Sequence, residues 1–329
     1  MGGIETFLTG LLEALEGLGC RNTLIATGDS RTAAKLVPVV EENLHARMVA
    51  GKSAEYVYYE QHQLRLALER AAEFDLIHSH IGPSGYVLSA MPGLRPPVLH
   101  TQHNPVYSDA EWFVRDQPDL WFATVSEFQA RAFRRQRASR CCVIHNGIDV
   151  AAFEFRPRAN NGLLFLGRME GEKGPDIAIR VARTLAAPLT LAGPIIEPDF
   201  FDRAIKQELG GGIQYVGVVD HLQKMELLGR ATCVLIPSRV HEGCPLVSME
   251  ALACGTPVVS LANGALPEII EPGVTGYVTS DEAMLPALVT QAVKLDRAKI
   301  RERVTARFDI HVVAGRYREL YRRMLAATV

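Results

Sequence analysis

Apolar positions along the 329 residues fall into two alternating patterns. The first opens with Ile4, Phe7, Leu8, Leu11, Leu12, Leu15 and Leu18, which recur at the spacing of one helical face and stop at Gly19. That period predicts a helix facing a core. Short apolar runs then alternate with helical patterns: Thr23 to Ala26, Asp75 to Ile77, Val98 to Thr101, Trp121 to Val125 and Cys142 to Ile144 in the first half. In the second half they begin near Leu163, Leu189, Ile213, Cys233 and Val258. Strands separated by helices predict an α/β chain with two similar halves, each a parallel, doubly wound sheet.

Between the halves, Asp149 to Asn160 carries no strand pattern and ends in Arg156-Pro-Arg-Ala-Asn160, a composition that suits a hinge. This sets the expected domains at 1–152 and 153–308, with a ligand cleft at the hinge. In the tail, 309–329, Val312, Val313, Tyr317, Leu320, Tyr321 and Leu325 alternate with arginines and predict a last amphipathic helix.

Composition narrows the class. Apolar residues at 48% and charged residues at 22% describe a globular chain long enough for two cores. A formal net charge of −2 gives no global attraction to nucleic acid. Six cysteines, at 20, 141, 142, 233, 244 and 254, form no CxxC pair, and no secretory leader is evident, so reduced thiols of a cytoplasmic protein are expected. No apolar run reaches the roughly 18 residues of a membrane span.

The most informative chemistry lies in Glu242-Gly-Cys-Pro-Leu-Val-Ser-Met-Glu250, where two carboxylates sit eight residues apart across the start of a helix. Pro245 fits the first helical turn, and the helix is expected to stop at Cys254-Gly255. Its positive N-terminus beside Glu242 suits an anionic ligand. Eight helical residues span about 12 Å. A glycosidase pair flanks one bond at about 5 to 9.5 Å, so these carboxylates are better placed to grip two ends of one long ligand.

Upstream, Leu163-Leu-Phe-Leu166 reads as a strand running into Gly167-Arg168-Met-Glu-Gly-Glu-Lys173-Gly174 and then a helix bearing Ile177, Ile179, Val181 and Leu185. Ligands bind at the carboxyl edge of an open α/β sheet, and an arginine with a lysine five residues on can clamp a diphosphate. The glycines match neither a P-loop nor a dinucleotide fingerprint.

His78, His80, His100 and His103 invite a zinc reading, but no cysteine or carboxylate cluster completes a shell, and core or cleft histidines suffice. His103 is the candidate for chemistry. Arg131, Arg134, Arg135, Arg137 and Arg140 crowd one predicted helix. Solvated basic face, acceptor-phosphate contact and peripheral contact with an anionic membrane all remain open for them.

The ordered set of segments resembles the retaining glycosyltransferases of family 4, which have the GT-B fold of two Rossmann-like domains. Gly2-Gly-Ile-Glu5, Phe74 to His80, His100 to His103, Thr124 to Glu127 and Ile144 to Asp149 carry the likeness, followed by Gly167-Arg168, Lys173-Gly174, Pro237-Ser238 and Ala262 to Glu268. The resemblance implies that Arg168 and Lys173 bind the diphosphate of a nucleotide sugar, that Glu242 faces its sugar, and that Glu250 holds its ribose hydroxyls. Gly243, Cys244, Leu246 and Val247 would line the donor, with the base against backbone near Val218. His103 would contact the transferred sugar, and Gly2-Gly3 would approach the phosphates or the acceptor. Catalytic roles thus fall to Glu242, His103, Lys173 and Arg168. The expected reaction moves a hexosyl unit to a hydroxyl acceptor with retention, needing no metal or cofactor. The tail helix is expected to return onto the first domain.

Two departures stand out. Ala265 occupies a position where the family often has a second glycine, which should slightly tighten that loop. Family members open with a buried strand before the Gly-Gly turn, and here that strand is missing. Neighbouring strands should then keep unpaired backbone groups unless sequence upstream of Met1, or another segment, fills the slot. Two rival functions keep the fold: a sugar-nucleotide epimerase or hydrolase, and a non-catalytic nucleotide-sugar-binding paralogue.

Overall fold

The computed structural model describes residues 3–51, 53–117, 119–136, 139–160 and 162–327. The chain divides into two units, Met1–Gly147 with Ile310–Val329, and Ile148–Asp309.

The first unit holds β1 (Thr23–Ala26), β2 (Lys35–Pro38), β3 (Ile77–Ser79), β4 (Val98–Gln102), β5 (Trp121–Thr124) and β6 (Cys141–Val143). Every pairing is parallel, but the strands form two sheets, β1-β2 and β3-β4-β5-β6. Among the described residues no strand precedes the opening helix Gly3–Gly17, and none joins β1 to β3. β4 is buried at all five positions, whereas all four residues of β1 are half-buried. One β1 acceptor, the carbonyl of Ile25, takes a hydrogen bond from Gln63 Nε2 at 2.6 Å.

The opening helix buries Phe7, Leu11, Ala14 and Leu15, and packs on the closing helix Ile310–Ala326, with Gly10 against Ile310 and Phe7 against Tyr317. Each large apolar side chain enclosed this way contributes about 1.5 to 3 kcal/mol. The tail helix is therefore part of the first unit.

The second unit carries β7 (Leu163–Leu166), β8 (Leu189–Ala192), β9 (Ile213–Tyr215), β10 (Cys233–Ile236), β11 (Val258–Leu261) and β12 (Gly276–Thr279). They form one sheet in the order β12-β11-β10-β7-β8-β9, parallel throughout. Successive residues of β7, β10 and β11 feed opposite cores. Leu164, Val234, Ile236 and Val258 join one cluster, while Leu163, Phe165, Cys233, Leu235, Val259 and Leu261 join the other. Burial on both faces explains why these strands read as unbroken apolar runs.

β2 and β12 went unforeseen, and β3 begins two residues later than Asp75 because Ala71–Glu73 forms a turn whose bonding runs into Phe74. β12 is short and mixes Tyr and Thr with Gly, a weak pattern.

Two half-buried arginines brace this unit. Arg297 donates to the carbonyls of Arg156 (2.6 Å), Ala231 (3.0 Å) and Gly229 (2.8 Å), and to Thr256 Oγ1 (2.7 Å). Arg301 donates to the carbonyls of Phe153 and Ala253 (2.6 Å each) and Val150 (3.1 Å). Gly229 and Ala253 end helices, where carbonyls lack intrahelical donors and carry partial negative charge. Arg297→Met strands several buried acceptors, so unfolding free energy is expected to fall by about 3 kcal/mol. Arg297→Lys should recover only part of this, because one ammonium cannot match a planar fork; guanidinium chloride midpoints of the three proteins check both statements.

Candidate functional site

The sheet order reverses between β7 and β10, since the chain fills one side from β7 to β9 and then crosses to the other. In an open parallel sheet this reversal opens a crevice at the carboxyl ends of the two strands. The loops that leave there are Gly167–Gly174 after β7 and Pro237–Pro245 after β10, which contain most of the residues singled out from the sequence.

Glycine lets these loops pack closely. Gly174 has φ 73°, and a Cβ there would overlap the carbonyl of Pro237. Gly264 has φ 64° and lies against the backbone of Glu242, whose carbonyl accepts from Ala265 N at 2.8 Å. Ala265 itself is fully buried within the apolar cluster that includes Leu266 and Met249, so its methyl group points into the core.

Lys173 Nζ lies 2.7 Å from Glu242 Oε1, with both side chains partly buried. Arg168 Nη2 lies 2.7 Å from Glu170 Oε1, and here the arginine is half exposed while Glu170 is buried. That contact has ion-pair distance without hydrogen-bond alignment, since Glu170 Oε1 has no hydrogen-bond partner. Arg239 locks the loop in place: it donates to the Gly171 carbonyl at 2.6 Å and grips Asp176 with both terminal nitrogens, at 2.8 and 2.6 Å. Burial pushes the Asp176 carboxyl up, but Arg239 and Arg180 outweigh it and hold the group below its ordinary value.

The helix after Glu242 spans Leu246–Ala253, with Pro245 as its N-cap. Pro245 thus sits one position earlier than expected, because its ψ of 109° is extended. Cys244, Leu246 and Val247 are partly buried against the core, and Gly243 is half-buried. Glu250 is 5% exposed. Its Oε1 accepts from Lys224 Nζ at 2.6 Å, a partner not anticipated from the sequence. The available signal was position: Lys224 precedes the fully buried Leu228 by four residues and shares its helix face. Val218, after β9, is 72% exposed.

In the first unit, His80 and His103 follow β3 and β4, and His80 Nδ1 is 2.9 Å from His103 Nε2. His78 bonds Tyr321 (2.7 Å) and Thr101 (2.6 Å). Burial lowers His100 and His103 to about 4, and lowers His78 and His80 well below the ordinary value, with neighbouring histidines adding to it. These rings are neutral at pH 7. Among the described residues no group of three or more His, Cys, Asp or Glu is arranged to hold a metal ion. Gly3 begins the opening helix, and Gly2 lies outside the described residues. The helix expected to carry five arginines spans Glu127–Arg135, so it holds Arg131, Arg134 and Arg135, and Arg140 lies beyond it, over Trp121; Arg134 pairs with Glu127 and Arg135 with Glu111, and Arg137 is outside the described residues. No helix among the described residues is long and apolar enough to cross a membrane.

Comparison with known proteins decides the family. Residues 152–307 match the model for glycosyl transferases group 1, and residues 1–152 that for glycosyltransferase family 4. The chain belongs to this glycosyltransferase family. It is 34% identical over 235 residues to the glycogen synthase of Mycobacterium tuberculosis, covering 66% of this chain and 56% of that protein. It thus spans little more than half the length of that relative. AviGT4, a glycosyltransferase involved in avilamycin A biosynthesis, superposes with a TM-score of 0.74 at 26% identity, covering 99% of this chain and 91% of that one. HepE of Anabaena, solved in complex with UDP and glucose, gives 0.73 at 18% identity, covering 97% and 95%.

The buried histidines of this family member set a pH dependence. Folded His100 and His103 take up protons only near pH 4, unfolded ones near 6.5, so between these values the unfolded chain binds more protons. Stability is expected to fall as pH drops through that window. Calorimetric melting temperatures from pH 7 down to about 4.5 check this, and His100→Gln should flatten the slope.

Proposed function

We propose that this chain is a retaining glycosyltransferase that moves a hexosyl unit from a nucleoside-diphosphate sugar to a hydroxyl acceptor. The observation that carries the reading is the Lys173–Glu242 pair, which joins a cation and a carboxylate from two loops at the reversal point of the sheet. The family supports it, and HepE, whose fold this chain shares, was solved with UDP and glucose.

In this reading the diphosphate lies over the N-terminus of the Leu246–Ala253 helix, whose free N–H groups favour negative charge. Lys173 uses one N–H on Glu242 and turns the others to the distal phosphate. Arg168, half exposed, exchanges Glu170 for a phosphate oxygen. As the bond from the anomeric carbon to the phosphate oxygen breaks, negative charge grows on the leaving group and these cations meet it. One such preorganised donor is worth about 3 to 4 kcal/mol, so the chain's own residues can supply the stabilisation without a metal. Glu242 orients the sugar and favours positive charge near its ring. The acceptor oxygen bonds to the anomeric carbon on the same face, and its proton passes to the departing phosphate oxygen. His103 of the first unit, neutral at pH 7, is a hydrogen-bonding group of the kind sugar hydroxyls accept.

Lys173→Ala and Glu242→Ala are each expected to cut turnover at least about tenfold, since each removes a charged contact to the reacting groups. Melting temperatures should change little, because a partly exposed pair contributes modestly. Mass spectrometry of products from UDP, GDP and ADP sugars, with and without acceptor, checks this. Full activity in either variant, or donor turned over without transfer, sinks the proposal.

A further inference from the structure

Glu250 meets its ligand in company, and the companion has work of its own. Lys224 lies on the helix His221–Arg230, whose start is fixed by a reciprocal cap: Asp220 accepts from Gln223 N at 2.8 Å, and Gln223 Oε1 accepts from Asp220 N at 3.0 Å. With the helix so anchored, Lys224 stands one turn before Leu228, which is sealed in the core with Met249 and Leu252 of the Leu246–Ala253 helix. The sequence thus puts a cation on a core-facing stripe. Nζ reaches Glu250 Oε1 at 2.6 Å, with side-chain exposures of 24% for the lysine and 7% for the glutamate.

Stability does not account for this pair. Well-packed apolar residues in place of a buried ion pair are often as stable or more so. The neighbouring core would accept a leucine or methionine at 224. A lysine instead presents three N–H groups, of which Glu250 takes one. No other side chain among the described residues bonds that ammonium or the second oxygen of Glu250. An acceptor-only carboxylate and a donor-only ammonium therefore stand side by side, the ammonium being the more exposed.

A vicinal diol matches that pairing. Each hydroxyl donates one hydrogen bond and accepts others, so the carboxylate takes its proton while the ammonium addresses its oxygen. We infer that Lys224 is a donor-recognition residue which, together with Glu250, reads the ribose diol of the nucleotide from both hydrogen-bonding senses. This rests on the proposed reading of Glu250 as the ribose contact. It adds that affinity and ribose selectivity depend on a second residue from a different helix, and that a 2′-deoxynucleotide forfeits contacts to both.

The test is calorimetric titration of wild type, Lys224→Met, Lys224→Arg and Glu250→Gln with UDP, GDP and ADP, and with the 2′-deoxy form of each. Melting temperatures of all four proteins establish folding. Wild type should prefer the ribose form of the nucleotide it binds best by about tenfold or more, as expected for hydrogen bonds to charged groups. Lys224→Met should weaken the ribonucleotide about tenfold, leave the 2′-deoxynucleotide nearly unchanged and so narrow the preference, while Lys224→Arg keeps part of it. If Glu250→Gln loses the preference while Lys224→Met retains it in full, the Lys224 inference is wrong and the Glu250 reading stands. If wild type binds both forms equally, both fall. Equal weakening of both forms by Lys224→Met marks a lysine that only holds the helix, and also overturns the inference.

Discussion

A parallel sheet delivers all its strand ends to one edge, and where the strand order reverses the loops on either side cannot cover each other. In the second unit that place lies between β7 and β10, and most of the residues that give the chain its chemical character leave from these two strands, with Lys224 on the helix after β9. Like charges would repel in so narrow a place. The chain instead sets cations against carboxylates: Lys173 with Glu242, Arg168 with Glu170, Lys224 with Glu250. Each pair keeps its members in place with their charges compensated. Glycines 174 and 264 allow the loops to lie backbone against backbone, so the pairs are held by a stiff frame.

What the sequence disclosed follows from period and spacing. Strands buried on both faces, such as β7 and β10, are apolar at every position and stood out, as did β11 with only Ser260 polar and the helix bearing Phe7, Leu11 and Leu15. β2, bounded by Pro38, and the mixed β12 did not, because neither repeats a pattern long enough to register. The Lys173–Glu242 encounter was legible since both loops end strands, and loop ends of adjacent strands must meet. Lys224 was not, because its meaning comes from tertiary packing of one helix on another across 26 residues of chain. The same holds for Arg239, whose grip on Asp176 bridges 63 residues. Proline 245 shows the grain of such reading: the element was right and its boundary moved by one residue.

The histidines of the first unit illustrate how residue type alone misleads. Four imidazoles close in sequence suggest metal or acid–base chemistry, yet here His78 bonds Tyr321 and Thr101, His80 and His103 bond each other, and burial keeps all four neutral. Neutral rings can direct hydrogen bonds without attracting or repelling a charged group.

The arginine braces carry one more implication. Arg297 and Arg301 hold the segment from Val150 to Arg156 through amide oxygens, which do not titrate, whereas Arg239 holds the Lys173 loop through the carboxylate of Asp176, which does. Strong acid, below the lowered Asp176 value, therefore weakens the Asp176 grip on the Lys173 loop and leaves the Gly171 carbonyl contact of Arg239, while the connection at the unit's entrance stays fastened. Within the second unit, the stretch from Gly171 to Asp176 is therefore where acid loosens the structure, on a frame still clasped at its root.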